Sequence, residues 1–160
     1  MSYLRIINQK LDDLAFERVI GVPKRGVGES TLNQIHTFSK MNKLCLEDSI
    51  IKLIEKGELK PKIKTSLFQL INMIHKWRKD SLKIKHFDLL KLVLDESGYS
   101  SMLKNKKDLD NENRLENIKE LLSAMKEFDN LENFLEHVSL ATSVDQEWDG
   151  EKINMMTMHA

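Results

Sequence analysis

The chain has 160 residues, a hydrophobic fraction of 41%, a charged fraction of 31% and a formal net charge of +0. This length suits one domain, and no apolar run approaches the roughly 20 residues that span a bilayer. The single cysteine, Cys45, cannot form an internal disulfide, and the N-terminus lacks the pattern of a secretory signal. These features indicate a cytoplasmic globular protein with no membrane partner.

The neutral total hides an uneven distribution of charge. Residues 52–91 contain eleven Lys or Arg and four acids, whereas residues 108–151 contain thirteen acids and three bases. Two solvated helix faces of opposite sign account for this pattern, and a basic face turned toward phosphate is the alternative. Charge alone does not choose between the two.

The first third of the chain is predicted to hold two helices joined by a Pro/Gly loop. Asp12 and Asp13 can both cap the first helix, and Ser30 can cap the second. The loop between the helices is expected at residues 21–28.

Hydrophobic spacing predicts helices along most of the remaining chain, at 46–54, 63–77, 87–96, 113–128 and 131–140. Gly57 and Pro61 separate the first two of these helices, and Gly98 is a candidate C-cap for the third. The helix at 113–128 is expected to be the longest, and a polar loop is expected at 105–113.

The last residues differ from the rest. Residues 153–158 have the composition of a short strand. A lone strand in an otherwise helical chain has no partner, so it is expected to pair with a sheet elsewhere in a larger protein. The fold expectation is a mainly α, compact multi-helix domain with one short C-terminal strand left from a neighbouring α/β domain.

Motifs for nucleotide chemistry and for metal binding are incomplete. Gly21 and Gly26 have the spacing of a phosphate-binding loop, but Val27 and Gly28 stand where Lys and Ser/Thr are required. The histidines are scattered and none has ligand spacing to Cys45 or to a carboxylate. We therefore expect no catalytic residue, no metal site and no cofactor within this chain.

The loop before the second helix carries the strongest functional pattern. A helix, a Gly-hydrophobic-Gly turn and a second helix are typical of a helix-hairpin-helix, in which backbone N–H groups and the helix dipole face phosphate. By spacing alone, most such turns are ordinary turns. The candidate residues for contact with a duplex backbone, with Val27 as the plug that holds the turn, are Lys24, Arg25, Gly26, Val27, Gly28 and Thr31.

The segment 16–28, Phe-Glu-Arg-Val-Ile-Gly-Val-Pro-Lys-Arg-Gly-Val-Gly, resembles the opening of the 2B domain of UvrD/PcrA/Rep-type superfamily 1 DNA helicases. Residues 3–8 resemble the stretch that leads from the 2A motor domain into 2B, and residues 96–99 resemble a Thr-Gly-Tyr segment. Residues 114–118 match an Arg-Leu-Glu-Asn-hydrophobic motif, and residues 153–160 resemble the first half of helicase motif V. Gly21 stands where the family often has Asn, and Val27 replaces the commoner Ile.

The resemblance implies residues 1–13 as the end of a 2A segment, 14–150 as the 2B domain, and 151–160 as a returning motor strand. It implies a parent ATP-dependent 3′→5′ helicase of repair or replication restart, which uses ATP and Mg²⁺. The partners it implies are duplex DNA, duplex/single-strand junctions, the motor domains of the same chain and repair proteins. Thr157 and His159 would touch single-stranded DNA in the full motor, whereas Arg114 and Glu116 would hold helices together.

The resemblance implies that the 2B domain grips the backbone of duplex DNA ahead of the unwinding junction, and two alternatives to this duplex grip remain open. The acidic region 108–151 could make the domain a protein-interaction or autoinhibitory module of the same helicase. The chain could also be the 2B-like domain of a helicase-nuclease subunit.

Overall fold

The computed structural model describes residues 1–105 and 109–144. Within these residues the chain forms helices and no strand, which confirms the mainly α prediction; the strand expected at 153–158 lies outside them. The helices are α1 (Ser2–Asn8), α2 (Asp13–Gly21), α3 (Glu29–Asn42), α4 (Leu46–Glu55), α5 (Pro61–Asp80), α6 (His86–Glu96), α7 (Tyr99–Asn105), α8 (Leu109–Met125) and α9 (Leu131–Val144). No helix in this part of the chain is both long and apolar enough to cross a membrane.

Two apolar clusters hold the helices together. The larger joins α1 to α6 around Trp77, whose side chain is fully buried and meets the Tyr3 ring edge-on at 5.9 Å between centroids. The smaller brings Leu4 together with residues from α6, α8 and α9, such as Met125 and Phe134. Burial of each large apolar side chain contributes about 1.5–3 kcal/mol, so the helices depend mainly on this packing.

Helix α5 is the central element and shows the predicted apolar face. Its buried residues include Leu67, Leu70, Ile71 and Ile74, which recur at three- and four-residue steps as expected from the sequence. Pro61 occupies the first turn of α5, where its missing N–H leaves no intrahelical hydrogen bond unmade. At 20 residues α5 is longer than α8 at 17, so the prediction that 113–128 forms the longest helix was wrong.

Helix α1 was not predicted and belongs to the core. Tyr3, Leu4, Ile6 and Ile7 are all buried, and α1 packs against α2, α5 and α9. Its seven residues are too few to show a convincing period, which is why the sequence pattern missed it.

The helix ends correct two capping predictions. Asp12 caps α2 by accepting a hydrogen bond from the Ala15 N–H at 2.9 Å, as expected. Asp13 instead accepts from the Leu46 N–H at 2.8 Å, so it satisfies the start of α4 across the fold. Ser30 does not cap α3, because that helix already begins at Glu29 with Gly28 as its N-cap and no capping side chain.

The region after α6 is more helical than expected. Gly98 follows the end of α6 with a φ of +77°, the left-handed conformation that commonly terminates a helix. The chain then forms α7, and α8 begins at Leu109 and ends at Met125. The loop prediction for 105–113 was therefore wrong at 105 and at 109–113, which are helical. Arg114 and Glu116, expected to hold helices together, are exposed on α8.

A buried ion pair fastens α4 to α5. Arg78 donates to both carboxylate oxygens of Glu47, at 2.8 and 2.7 Å, and also to the Ile6 carbonyl at 2.8 Å. Glu47 is fully buried, and Nε2 of His75 lies 3.0 Å from its Oε1. Since a buried carboxylate needs charged or polar partners, these contacts fix how α1, α4 and α5 sit together.

Candidate nucleic-acid interface

The predicted loop lies between α2 and α3, each of which packs against α4. Helix α2 ends at Gly21 with Val22 as its C-cap, and α3 starts at Glu29 after the N-cap Gly28. The bond between Val22 and Pro23 is cis. The loop is therefore a short connection between two helices that both pack against α4.

The guanidinium of Arg25 points back into the protein. Its Nη1 donates to the carbonyls of Val19 at 2.5 Å and Pro23 at 2.9 Å, and its Nη2 donates to the Tyr3 hydroxyl at 2.9 Å. The Tyr3 hydroxyl in turn donates to the Val22 carbonyl at 2.9 Å. Because these bonds satisfy backbone carbonyls at the end of α2, the Tyr3–Arg25 pair holds the loop in one conformation.

Through Trp77, Tyr3 connects this loop to a second polar contact, between α5 and α6. Its ring packs edge-on against Trp77, whose indole Nε1 donates to Glu96 at 2.7 Å. Lys76 also pairs with Glu96. This chain of contacts links the loop through α1 to α5 and α6, and no periodic sequence signal marks it.

The two glycines of the loop have different backbone requirements. Gly26 has a φ of +76°, in the left-handed region that strongly favours glycine. Gly28 has φ −94° and ψ 174°, an extended conformation open to any residue, and a Cβ there would meet nothing within 4 Å. The fold therefore requires glycine at position 26 and leaves room at position 28.

At the beginning of α3, two backbone N–H groups have no acceptor among the residues that the structure describes. The N–H groups of Thr31 and Leu32 both donate to the Gly28 carbonyl, at 3.1 and 3.0 Å. The N–H groups of Glu29 and Ser30 belong to the first turn, where the helix has no carbonyl that can accept from them. Both residues are exposed, so the positive end of the α3 dipole is open to solvent beside Gly28.

The side chains around this helix start are of mixed sign. Lys24 is exposed in the loop, and Glu29 places a carboxylate in the first turn of α3, where it would compete with an incoming anion. Glu17 pairs with His36 at 3.0 Å on the flanks of the two helices. Lys24 and the helix dipole thus provide the positive charge, because Arg25 is engaged within the protein.

The predicted site residues divide into two groups. Lys24, Gly26 and Gly28 are exposed and Thr31 is half-buried, and all four lie at the start of α3 or in the loop before it. Val27 packs against the larger apolar cluster, as expected of a plug, and Arg25 also faces inward. Thr157 and His159 lie outside the described residues.

No group of three or more His, Cys, Asp or Glu side chains within residues 1–105 and 109–144 could hold a metal ion. Cys45 is half-buried, its thiol donates to Asp48 at 3.3 Å, and burial raises its pKa. A thiol with a raised pKa is a poor nucleophile. The open helix start is therefore the leading candidate site in the described part of the chain.

Known proteins resemble this chain along its full length. DNA helicase II of Rickettsia typhi is 35% identical over 162 residues, which cover 100% of this chain and 25% of the helicase. ATP-dependent DNA helicase PcrA of Staphylococcus epidermidis is 30% identical over 168 residues, covering 100% of this chain and 23% of that protein. The chain thus spans about a quarter of the length of these relatives. The family model for the UvrD-like helicase C-terminal domain matches residues 1–160, and the chain belongs to that family.

Proposed function

We propose that this chain is the 2B accessory domain of an ATP-dependent DNA helicase, and that it grips the backbone of duplex DNA ahead of the unwinding junction. The observation that carries the proposal is the open start of α3. There, Gly28 leaves open the space that a Cβ would occupy, next to the N–H groups of Glu29 and Ser30.

Phosphate suits this arrangement chemically. Backbone N–H groups at a helix start donate to anionic oxygens, and the dipole favours negative charge. A Cβ at position 28 would stand between the backbone and an approaching phosphate, which explains glycine at a residue with an ordinary φ. Lys24 adds a mobile ammonium group, and Thr31 adds a hydroxyl one turn into the helix. Contacts of this kind position DNA without reading its sequence.

Arg25 has a different role in this proposal from that of Lys24. Its bonds to Val19, Pro23 and Tyr3 make it the residue that orders the loop before DNA arrives. An ordered loop loses less conformational entropy on binding, so Arg25 would support phosphate contact indirectly. Val27 contributes in the same way through its packing on the core.

The motor of the proposed helicase lies in other parts of the protein. PcrA of S. epidermidis carries the name of an ATP-dependent helicase, and its counterpart of this chain is only 23% of its length. ATP and Mg²⁺ would be held there, because the 21–28 loop lacks the Lys and Ser/Thr of a phosphate-binding loop. The 160-residue chain alone should not hydrolyse ATP, with or without DNA; turnover that copurifies with the protein through successive columns would contradict this.

The proposed domain boundaries keep residues 1–13, 14–150 and 151–160 as leading segment, 2B domain and returning motor strand. Helix α1 lies in the leading segment, and its four buried residues belong to the two apolar clusters of the helical domain. We therefore propose that this segment is a structural part of the 2B domain as well as its connection to the motor. The partners would be duplex/single-strand junctions and the motor domains, with a role in DNA repair or replication restart.

A second candidate function uses the acidic surface of α8. Glu112, Glu116 and Glu120 are exposed at four-residue steps, so they lie along one side of the helix. Such a row suits a basic protein surface and would fit a partner-binding or autoinhibitory module. Replacing the three glutamates with lysines should then abolish regulation or partner binding without weakening duplex binding.

The duplex grip is tested with two matched glycine substitutions. Gly28→Leu should weaken binding of a fluorescent duplex by more than about tenfold, since charge-assisted hydrogen bonds contribute about 1.5–3 kcal/mol each. Gly21→Leu is the control, because Gly21 is exposed and a Cβ there also meets nothing within 4 Å. Equal affinity of the two variants, with both folded by circular dichroism, would overturn the proposal.

A further inference from the structure

A surface groove lies away from the loop. It has a volume of about 560 Å³ and runs between the α5–α6 connection at 81–85 and the α8–α9 connection at 126–130. None of the residues that line it belongs to the 22–31 segment. The groove therefore has its own chemistry, and nothing in the proposed duplex grip uses it.

Three ammonium groups gather around one aromatic ring at this groove. The Nζ atoms of Lys85, Lys91 and Lys126 lie 5.8, 5.6 and 6.0 Å from the centre of the Phe87 ring. Phe87 packs against the smaller apolar cluster, so the ring is a fixed support. Attraction of each cation to the ring draws three like charges into one patch, where an added anion would relieve their repulsion.

Acidic residues neutralise this patch only in part. Lys91 pairs with Asp88 at 3.0 Å, whereas neither Lys85 nor Lys126 forms an ion pair within the part of the chain that the structure describes. Among the described residues that line the groove, Asp129 is the one carboxylate, against the three lysines Lys83, Lys85 and Lys126. The patch keeps a surplus of positive charge, which locates part of the basic excess that the sequence showed at 52–91.

Apolar side chains alternate with the bases along the α5–α6 connection. Residues 82–87 read Leu-Lys-Ile-Lys-His-Phe, and all of them line the groove. The Leu82 side chain is 87% exposed and that of Ile84 is 39% exposed, although both are large and apolar. A ligand that presents flat apolar faces alternating with anionic groups would contact both kinds of side chain.

We propose that this groove is a second nucleic-acid site, one that binds a single strand. Its phosphates would lie against Lys83, Lys85 and Lys126, and its unpaired bases would pack against Leu82 and Ile84. Binding of a single strand commonly combines a basic groove with aromatic side chains on which the bases stack. Here the exposed apolar side chains of Leu82 and Ile84 would take the place of the aromatic rings. A duplex hides its base faces within the stack and would gain only the phosphate contacts. This site is independent of the role proposed for the 22–31 loop.

The test compares two double substitutions in the 160-residue chain. The Lys85→Gln/Lys126→Gln variant removes two charges from the groove. The control, Lys62→Gln/Lys64→Gln, removes two charges from exposed positions in the first turns of α5, at the opposite end of that helix. Each protein is titrated into a fluorescent oligothymidylate and into a duplex over a range of salt concentrations.

For the single strand, the slope of log affinity against log salt should be smaller in magnitude by about 1.4 in the groove variant. Its affinity at about 0.1 M salt should be roughly 25-fold lower. The control should lose much less. Leu82→Ser should weaken the single strand and leave the duplex unchanged, whereas Gly28→Leu should do the reverse. If Gly28→Leu leaves duplex affinity unchanged while the groove variants behave as expected, the result counts against the duplex grip and not against the groove.

Equal losses in the two lysine variants would overturn the groove as a site and reduce it to general charge attraction. An unchanged affinity of Leu82→Ser for the single strand would overturn the contact with bases. A polyglutamate peptide and unlabelled oligothymidylate are compared as competitors at equal concentrations of negative charge. If the peptide displaces the fluorescent oligothymidylate more effectively, the groove binds an acidic protein partner instead.

Discussion

The Tyr3 hydroxyl accepts a hydrogen bond from Arg25 at 2.9 Å and donates one to the carbonyl of Val22 at 2.9 Å. A residue of the first helix is thereby bonded to the start and to the middle of the loop proposed to bind DNA. Since Tyr3 also packs on Trp77 in the core, the loop is held by a rigid support and not only by its own residues.

Tyr3→Phe tests whether this pair prepares the loop for phosphate. The ring and its packing on Trp77 remain, but two half-buried hydrogen bonds are lost, at a stability loss of about 1–3 kcal/mol. Duplex affinity should fall several-fold while the helical content stays unchanged. His36→Phe, which removes the half-buried pair with Glu17, serves as the control. Duplex affinity that is the same for Tyr3→Phe and the natural chain would show that the loop needs no such support.

Gly26 and Gly21 should respond to alanine in opposite directions. Gly26→Ala places a Cβ on a residue with φ +76° and should destabilise the chain by about 1–2 kcal/mol. Gly21 ends α2 with open space around it, so Gly21→Ala should stabilise the chain by up to about 1 kcal/mol. Urea denaturation measures both values. A neutral Gly26→Ala would mean that the turn adopts another conformation.

Glu47 should make stability depend on pH. Burial opposes its ionisation, but hydrogen bonds from Arg78 and His75 outweigh this and hold the pKa of Glu47 below its ordinary value of 4.5. The unfolded chain then binds more protons in acid than the folded chain does. The contribution of Glu47 is therefore fully present above the ordinary value and is lost as pH falls through the lowered pKa.

Glu47→Gln isolates this contribution. At neutral pH the variant should be less stable by about 3–5 kcal/mol, because Arg78 loses its buried counter-charge. Urea denaturation from pH 7 to pH 3 should show the gap between the two proteins narrowing below pH 4.5. A gap that stays constant over that range would contradict the lowered pKa. Lys10→Gln is a suitable control, because its pair with Asp48 is exposed and should contribute little.

The sequence anticipated those parts of the structure that depend on local pattern. The apolar face of α5, the Asp12 cap and the left-handed Gly98 all follow from spacing or from a single residue type. The resemblance likewise indicated the family to which the chain belongs. What it could not show were contacts between residues far apart in sequence. Arg25 looks like a phosphate ligand from its charge, and only its bonds to Tyr3 and Val19 reveal that it faces inward.

Lys24 should differ from Arg25 in how it affects DNA binding. Lys24 is exposed, so Lys24→Gln should reduce the salt slope of duplex binding by about 0.9 without a change in unfolding free energy. Arg25→Gln should lower stability as well as affinity, because three backbone or hydroxyl acceptors lose their donor. Salt titration and urea denaturation of both variants distinguish these roles. Matching profiles for the two variants would show that Arg25 also acts mainly as a phosphate ligand.

Amide chemical shifts can show whether the open start of α3 meets the DNA backbone. A ¹⁵N-labelled chain titrated with a short duplex should show its largest amide shifts at Gly28, Glu29 and Ser30, and these shifts should be the same for unrelated duplex sequences. If duplex binds to saturation while these three amides keep their positions and the large shifts lie elsewhere, the duplex grip is not at this loop.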